Sequence, residues 1–169
     1  MTRRNAAVRI LGIDPGSVTT GVGVIEARGN QLIHLAHRAI RARGDFRSRL
    51  TAIHAGVVEV MAEFQPAEVA VEKVFMARNA DAALKLGQAR GAAIVAVGDH
   101  CALAEYSPRT IKQALVGGGG ADKKQVQHMV ARLLGLPAPL QADAADALAA
   151  AICHAHHRVT QARLAAATR

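Results

Sequence analysis

The first forty residues of the chain contain three apolar segments whose pattern predicts β-strands. Residues 7–14 and 20–27 are rich in β-branched side chains, and residues 31–40 alternate between apolar and polar positions. The connections between the segments are short, and the first of them is the tight sequence DPGS. Because antiparallel strands can be joined by such short links, we expect the three segments to form an antiparallel meander.

A helical repeat follows the meander. Between Phe46 and Phe64, apolar residues recur mainly at spacings of three and four, which predicts an amphipathic helix. The sequence EVAVE at 68–72 then predicts a short buried strand. A strand, a helix and a strand in this order form a right-handed crossover, so the pattern predicts a mixed sheet in an α/β fold.

Residues 79–97 are expected to form a second helix, with Asn79 as its N-cap. Small residues, among them Ala83, Gly87 and Gly91, fall on one face of this helix and permit another helix to approach closely. The pattern leaves two alternatives open for that face, which are packing within the chain and contact with a second copy of it.

The last third of the chain is predicted to contain one strand and three helices. Four consecutive glycines lose too much backbone entropy to lie inside a helix or strand, and they predict a flexible loop. The strand is expected at 101–106, the helices at 107–115, 122–134 and 141–157, and the loop at 117–120.

The length of 169 residues predicts one domain over 1–169, with a short N-terminal extension at 1–7 and a mobile C-terminal tail at 158–169. Its apolar runs are far shorter than the ~20 residues of a membrane span, so no membrane contact is expected. The charged N-terminus lacks the apolar core of a signal peptide, which favours a cytoplasmic protein. Two cysteines, Cys101 and Cys153, are expected to be buried thiols.

The formal net charge is +8, from 21 Lys and Arg against 13 Asp and Glu. A basic surface favours a polyanionic partner such as nucleic acid. The alternative is an arginine-rich composition that serves no such partner.

Two acidic residues end buried strands. Asp14 closes the first predicted strand and Glu72 closes the strand EVAVE, and strand ends of an α/β sheet are where functional sites collect. An Asp before Pro and Gly is also common in turns, but Glu72 has no such role. Asp143 and Asp146 lie three residues apart on one helical face, where Asp143 could instead complement the helix dipole.

Four carboxylates in one pocket would repel one another unless cations neutralise them, so the acids predict a metal site. Oxygen ligands suit hard cations, with Mg²⁺ first and Mn²⁺ as a substitute. Two such ions about 4 Å apart fit the in-line cleavage of a phosphodiester bond. A basic protein with a local acidic pocket therefore indicates a nuclease.

Several residues are candidate DNA contacts. Phe75, just beyond Glu72, is a candidate to stack on an unpaired base, although a core role is the alternative. Lys112 and Lys123 flank the glycine loop and are the preferred phosphate contacts, while Lys124 and Arg78 are further candidates.

Two other motifs are rejected. Cys153, His156 and His157 share a helical face, but no second cluster supplies a fourth zinc ligand. The sequence GGGG is not followed by GK[ST], as a phosphate-binding Walker loop requires.

Four blocks of sequence resemble the RuvC family of Holliday junction resolvases over about residues 8–154: GIDPGSVTTGVGVIE, VEKVFMARNADAALKLGQARG, KQALVGGGGADKKQVQHMV and QADAADALAAAI. The resemblance implies an RNase H-like fold, with a mixed five-stranded sheet flanked by helices on both faces. It also implies a homodimer that nicks four-way DNA junctions symmetrically with Mg²⁺ during recombination and repair. RuvA and RuvB, the branch-migration proteins, are the implied partners.

The resemblance assigns roles to individual residues. It implies that Asp14, Glu72, Asp143 and Asp146 are catalytic and bind metal. Phe75 would be the residue that stacks at the junction, and Lys112 and Lys123 the basic residues near the scissile strand.

Three other functions remain open at this point. A related nuclease acting on RNA would share the fold and the acids. An actin-like ATPase would share the DPGS turn but needs a second lobe. A non-catalytic DNA-binding module would have no use for these acids, and the free-energy cost of burying them would be unexplained.

Overall fold

The structure is a computed structural model and describes residues 6–74, 79–99 and 101–167. Its centre is a five-stranded sheet with the order β3-β2-β1-β4-β5. The first three strands form the predicted antiparallel meander, and β4 and β5 continue the sheet in parallel with β1. The strands are β1 (Val8–Asp14), β2 (Thr19–Arg28), β3 (Gln31–Arg41), β4 (Glu68–Glu72) and β5 (Ala102–Tyr106).

Helices cover both faces of the sheet, which confirms the predicted α/β class. On one face, α5 packs against the strands with α3 and α4 outside it, and on the other face α1 and α2 form the second layer. The helices are α1 (Phe46–Phe64), α2 (Ala80–Val97), α3 (Pro108–Val116), α4 (Lys123–Leu134) and α5 (Ala142–Ala167). In the described part of the chain, no helix is both long and apolar enough to cross a membrane.

Helix caps explain where several of these helices begin. The side chains of Asn79 and Ser107 accept hydrogen bonds from backbone N–H groups in the first turns of α2 and α3. Asp122 forms a reciprocal capping box with Gln125 at the start of α4. The prediction that Asn79 caps its helix is therefore confirmed.

The predicted end of the last helix at residue 157 is wrong. Helix α5 continues to Ala167 because the segment RVTQARLAAA is dominated by good helix formers. Arg158 also fastens this extension to the sheet, since its Nε lies 2.9 Å from Glu68 Oε1. Mobility of the tail over 158–169 stays a prediction, and residues 1–5 of the extension lie outside the described residues.

Helix α5 lies unusually close to the sheet because glycines face it. A Cβ atom built on Gly12 would lie 1.9 Å from the carbonyl oxygen of Ala147, and one built on Gly21 would lie 1.9 Å from that of Asp143. At Gly23 the nearest atom would be Leu148 Cδ2, at 2.7 Å. The glycines leave room for the helix backbone itself. The start of α5 therefore lies directly over the carboxyl end of β1 and the beginning of β2.

We expect Gly12→Ala to lower the free energy of unfolding by about 3 kcal/mol or more, because the added methyl meets helix backbone that cannot rotate away. Gly120→Ala is the matched control, since a Cβ there meets nothing within 4 Å, and it should change stability by less than about 0.5 kcal/mol. Urea denaturation measures both variants. Equal unfolding free energies would contradict the close approach of α5.

Candidate active site

Asp14 and Glu72 leave the sheet side by side. Ile13 of β1 pairs with Val71 of β4 in parallel register, so the next residue on each strand is one of the two acids. Side chains alternate along a strand, and Asp14 therefore shares the face of Gly12, which is the face covered by α5. This register places the two predicted acids, Asp14 and Glu72, next to each other at the ends of adjoining strands.

Helix α5 brings the other two acids to the same edge. Gly21 pairs with Asp14 across β1 and β2, and the backbone of Asp143 lies against Gly21. Asp146 follows three residues later, on the same helical face, and both aspartates are partly buried. Ala144, Ala145 and Ala147 beside them are fully buried, so the first turns of the helix are fixed on the sheet.

The acids influence one another strongly. Burial, followed by the charges of Glu72, Asp146 and Asp143, raises the pKa of Asp14 to about 8, and only Lys123 acts in the opposite direction. Burial and then Asp146 also raise the pKa of Glu72, while Lys123 and Lys112 oppose that change. The predicted set of four carboxylates is thus electrostatically coupled.

Two predicted lysines lie at these carboxylates. The Nζ of Lys123 lies 2.7 Å from Asp146 Oδ2, and this hydrogen bond is the main reason that the pKa of Lys123 is raised. Lys112, Lys123, Glu72 and Asp146 line one cleft, together with apolar atoms of α3, α4 and α5. The cleft combines metal-type oxygen donors with cations suited to a phosphate.

The donor set fits a hard divalent cation. All four acidic side chains offer oxygen atoms, as Mg²⁺ and Mn²⁺ prefer. Burial and then the neighbouring acids raise the pKa of Asp14, so a bound cation would favour its ionised form. Among the described residues, no three His, Cys, Asp or Glu side chains are arranged as ligands of one ion. The Lys123 ammonium holds the Asp146 carboxylate, so ligation requires side-chain rotation in the cleft.

The turn after Asp14 is fastened by a buried threonine. The Thr20 hydroxyl donates to the Gly16 carbonyl at 3.0 Å and accepts from the Gly16 N–H at 3.3 Å. A Cβ atom at Gly16 would lie 2.0 Å from the Thr19 carbonyl oxygen, so glycine is required for space. These contacts fix the position of Asp14 at the end of the strand.

A hydrogen-bond network that was not predicted from the sequence fastens α5 further along the sheet. His154 Nε2 lies 2.7 Å from Glu68 Oε2, and its Nδ1 lies 2.7 Å from the hydroxyl of Tyr106. Burial lowers the pKa of His154, against the opposing effect of Glu68, so a neutral ring donates to Glu68 and accepts from Tyr106. A buried His on an apolar helix face was the only sequence signal for this network.

Arg109 was also missed as a functional candidate. With Lys112 it lines a shallow pocket closed by Gly119 and Gly120 of the glycine loop. A Cβ at Gly119 would lie 2.8 Å from Arg109 Cγ, so the loop backbone packs on the stem of this arginine. The three-residue spacing of Arg109 and Lys112 on α3 is the signal that could have identified it.

The remaining predicted DNA contacts divide into two groups. Lys124 is exposed at the start of α4, next to Lys123. Phe75 and Arg78 lie outside the described residues.

A mixed five-stranded sheet with acids at adjoining strand ends and on the covering helix is the arrangement of an RNase H-like nuclease. The family model "Crossover junction endodeoxyribonuclease RuvC" matches residues 10–154. The chain therefore belongs to the RuvC family.

Individual relatives agree with this assignment. The chain is 58% identical over 158 residues to the crossover junction endodeoxyribonuclease RuvC of Vibrio vulnificus strain CMCP6, which covers 92% of this chain and 91% of that one. It is 55% identical over 169 residues to the protein of the same name from Idiomarina loihiensis, with 95% and 94% of the chains covered.

Solved structures give the same result. A structure of T. thermophilus RuvC in complex with a Holliday junction substrate superposes with a TM-score of 0.85 at 36% identity, covering 91% of this chain and 96% of that one. The yeast mitochondrial Holliday junction resolvase Ydc2 shares the fold, with a TM-score of 0.63 at 14% identity. The superposition covers 96% of this chain and 86% of that one.

Proposed function

We propose that this protein is a structure-selective endonuclease that resolves Holliday junctions by metal-dependent, symmetric nicking of two strands. The observation that carries the proposal is the electrostatically coupled set of four acids, of which Glu72 and Asp146 line a cleft together with Lys112 and Lys123. Membership of the RuvC family and the relative bound to a Holliday junction support four-way junction DNA as the substrate.

The four acids and the lysines have distinct parts in the proposed reaction. Asp14, Glu72, Asp143 and Asp146 would hold Mg²⁺ or Mn²⁺, and we propose two ions for each cleft. Such ions supply an activated water and stabilise the leaving oxygen of the phosphodiester. The acids bring no phosphate contact of their own, because their charge repels the backbone.

The lysines hold the DNA strand over the acids. Lys112 lies between Glu72 and the glycine loop, and Lys123 contacts Asp146, so both ammonium groups can bind the phosphates beside the scissile bond. Lys124 and Arg78 are proposed as further phosphate contacts. Phe75 is proposed to stack on a base that is unpaired at the junction.

Symmetric nicking needs two clefts, and we propose that they come from a homodimer formed through α2. The exposed face of this helix carries Leu84 and Val95, which are 67% and 70% exposed. Between them, Gly87 and Gly91 have nothing within 4 Å of an added Cβ among the described residues. Two apolar anchors that flank small residues suit a closely packed helix pair.

The cellular setting follows from the substrate. Junctions of chromosomal DNA in bacteria lie in the cytoplasm, so we propose that location. RuvA and RuvB are the proposed partners, since junction resolution follows branch migration. We also propose that residues 1–169 act as one nuclease domain.

We expect Asp14→Asn and Glu72→Gln to abolish junction cleavage while they retain junction binding, because each removes a metal ligand and no phosphate contact. The assay follows an end-labelled four-way junction and a linear duplex with Mg²⁺, with Mn²⁺ and with EDTA. Paired symmetric nicks in the junction alone should require metal and both acids.

Glu59→Gln, a carboxylate-to-amide change at an exposed position of α1, is the matched control, and it should leave junction binding and cleavage unchanged. If the wild-type protein binds the junction but cuts it with none of the metals, the nuclease proposal is wrong. Cutting of an RNA substrate in preference to the junction would favour the related RNA nuclease instead.

Val95→Asp should convert the dimer to a monomer, because a charge would be buried between the two α2 helices. Sedimentation equilibrium measures the change. Leu133→Asp, at a 37% exposed site on α4, is the control and should remain dimeric. A wild-type chain that sediments as a monomer at micromolar concentration would contradict the dimer.

A further inference from the structure

The segment that joins β3 to α1 is rich in arginine. Residues 41–49, RARGDFRSR, contain four arginines and a single acid. Arg41, Arg43 and Arg47 are exposed, and Phe46 between them is 59% exposed. We call these four residues the arginine surface. None of them belongs to the cleft described above.

The arginine surface lies on the same edge of the sheet as the acids. Asp14 pairs with Gly21, and Gly21 pairs with Ala39 of β3, two residues before Arg41. Residues opposite one another across strands share a face, so the side chain of Arg41 points to the face of Asp14. With strands about 4.8 Å apart and about 3.3 Å per residue, the two Cα atoms are about 12 Å apart.

A backbone hydrogen bond joins this segment to the loop that follows Asp14. The N–H of Ala42 donates to the carbonyl of Val18 at 2.9 Å. The buried side chain of Ala42 fixes the segment on the core, while its arginine neighbours on either side are exposed. The arginine surface is therefore held in a defined place relative to the acids.

The charges of the arginine surface are not neutralised within the described residues. The one acid of the segment, Asp45, caps α1 by accepting from the N–H of Ser48 at 2.8 Å. In the described part of the chain, no carboxylate forms an ion pair with Arg41, Arg43 or Arg47. By contrast, Arg38 pairs with Glu63 and Arg90 with Glu105.

We propose that the arginine surface binds the sugar–phosphate backbone of one duplex arm of the junction. Arg41, Arg43 and Arg47 contact successive phosphates, and the exposed ring of Phe46 packs on a deoxyribose. The acids then lie between two basic regions, with Lys112 and Lys123 on the side of α3 and α4 and the arginine surface on the side of β3.

This inference rests on the proposed function, because it assumes that a junction occupies the cleft. Its own evidence is independent of the four acids. It consists of the unpaired charge, the position of Arg41 on the face of Asp14, and the exposed aromatic ring of Phe46, which with Arg47 begins α1 on the other face of the sheet. A duplex arm is favoured over a protein partner because the three arginines are exposed and form no ion pair among the described residues, and Phe46 is the one large apolar side chain exposed among them.

The test measures junction affinity as a function of salt, in the Asp14→Asn protein with EDTA so that no cleavage occurs. The triple variant Arg41→Gln, Arg43→Gln, Arg47→Gln should lower the slope of log affinity against log salt by about 2 to 3, since each phosphate contact contributes about 0.9. Its Kd in about 100 mM salt should rise about tenfold or more.

Phe46→Ala separates the apolar contact from the charge. It should weaken binding about fivefold while the salt slope stays constant, because burial of apolar surface releases no counterion. The control is Arg132→Gln, which removes an exposed arginine from the last turn of α4, and it should leave slope and Kd unchanged. Thermal melting confirms that each variant folds.

The outcomes are distinguishable. No binding of the junction by the Asp14→Asn parent would overturn the proposed function together with this inference. Normal binding by the parent and an unchanged slope in the triple variant would overturn the inference alone. A triple variant that becomes monomeric in sedimentation would assign the arginine surface to a contact between copies of the chain, and would also overturn it.

Discussion

The active-site edge depends on the direct contact between the backbone of α5 and the glycines of the sheet. Most helices rest on a sheet through large side chains, which keep the two about 10 Å apart. Here the helix supplies alanines and the strands supply Gly12 and Gly21, so main-chain atoms meet. This contact places Asp143 and Asp146 of the helix close to the two acids at the strand ends, Asp14 and Glu72.

Burying several carboxylates close together is electrostatically unfavourable for the folded state. The other contacts of α5 and of the cleft offset this unfavourable free energy. Burial and mutual repulsion hold the pKa of Asp14 far above its ordinary value. A fold that places such groups together needs contacts elsewhere to compensate. The apolar contacts along α5 and the network of Glu68, His154 and Tyr106 supply them on the same helix. Lys123 reduces the repulsion directly, and a bound cation would reduce it further.

The sequence was most informative where one periodicity dominated. The strand boundaries, the crossover order and the acids at the strand ends could all be predicted, because a buried run that ends in a carboxylate is rare unless the carboxylate has a function. The end of α5 was missed because alanine and arginine are equally typical of a frayed tail and of a stable helix. The Glu68 and His154 contact joins residues 86 positions apart, which no local pattern contains.

The glycines illustrate the same limit. Gly16 could be recognised in the sequence DPGS as a turn residue. The structure shows that glycine is required there because a side chain would have no space beside Thr19. Gly12 and Gly21 lie inside strands, where glycine only weakens local propensity, and their purpose became visible when α5 was placed over them. The spacing of Arg109 and Lys112 indicates a shared helix face, but the packing of Gly119 on Arg109 became visible only in the structure.

The central claim is that Asp14 lies in a repulsive cluster of carboxylates, and its most direct test is the stability of the metal-free protein as a function of pH. The pKa of Asp14 is about 8 in the folded protein against 3.8 as the ordinary value. Between pH 3.8 and about 8, Asp14 keeps its proton in the folded protein, whereas it is ionised in the unfolded chain. The contribution of Asp14 to the free energy of unfolding is therefore greatest below pH 4 and falls as the pH rises to about 8.

Urea denaturation in EDTA at about pH 5 and about pH 8 measures this loss in the wild-type protein and in Asp14→Asn. We expect the wild-type protein to lose more unfolding free energy than the variant between the two pH values, by a few kcal/mol at most. Parallel pH profiles for the two proteins would show that Asp14 titrates normally, and would contradict the coupled acidic site.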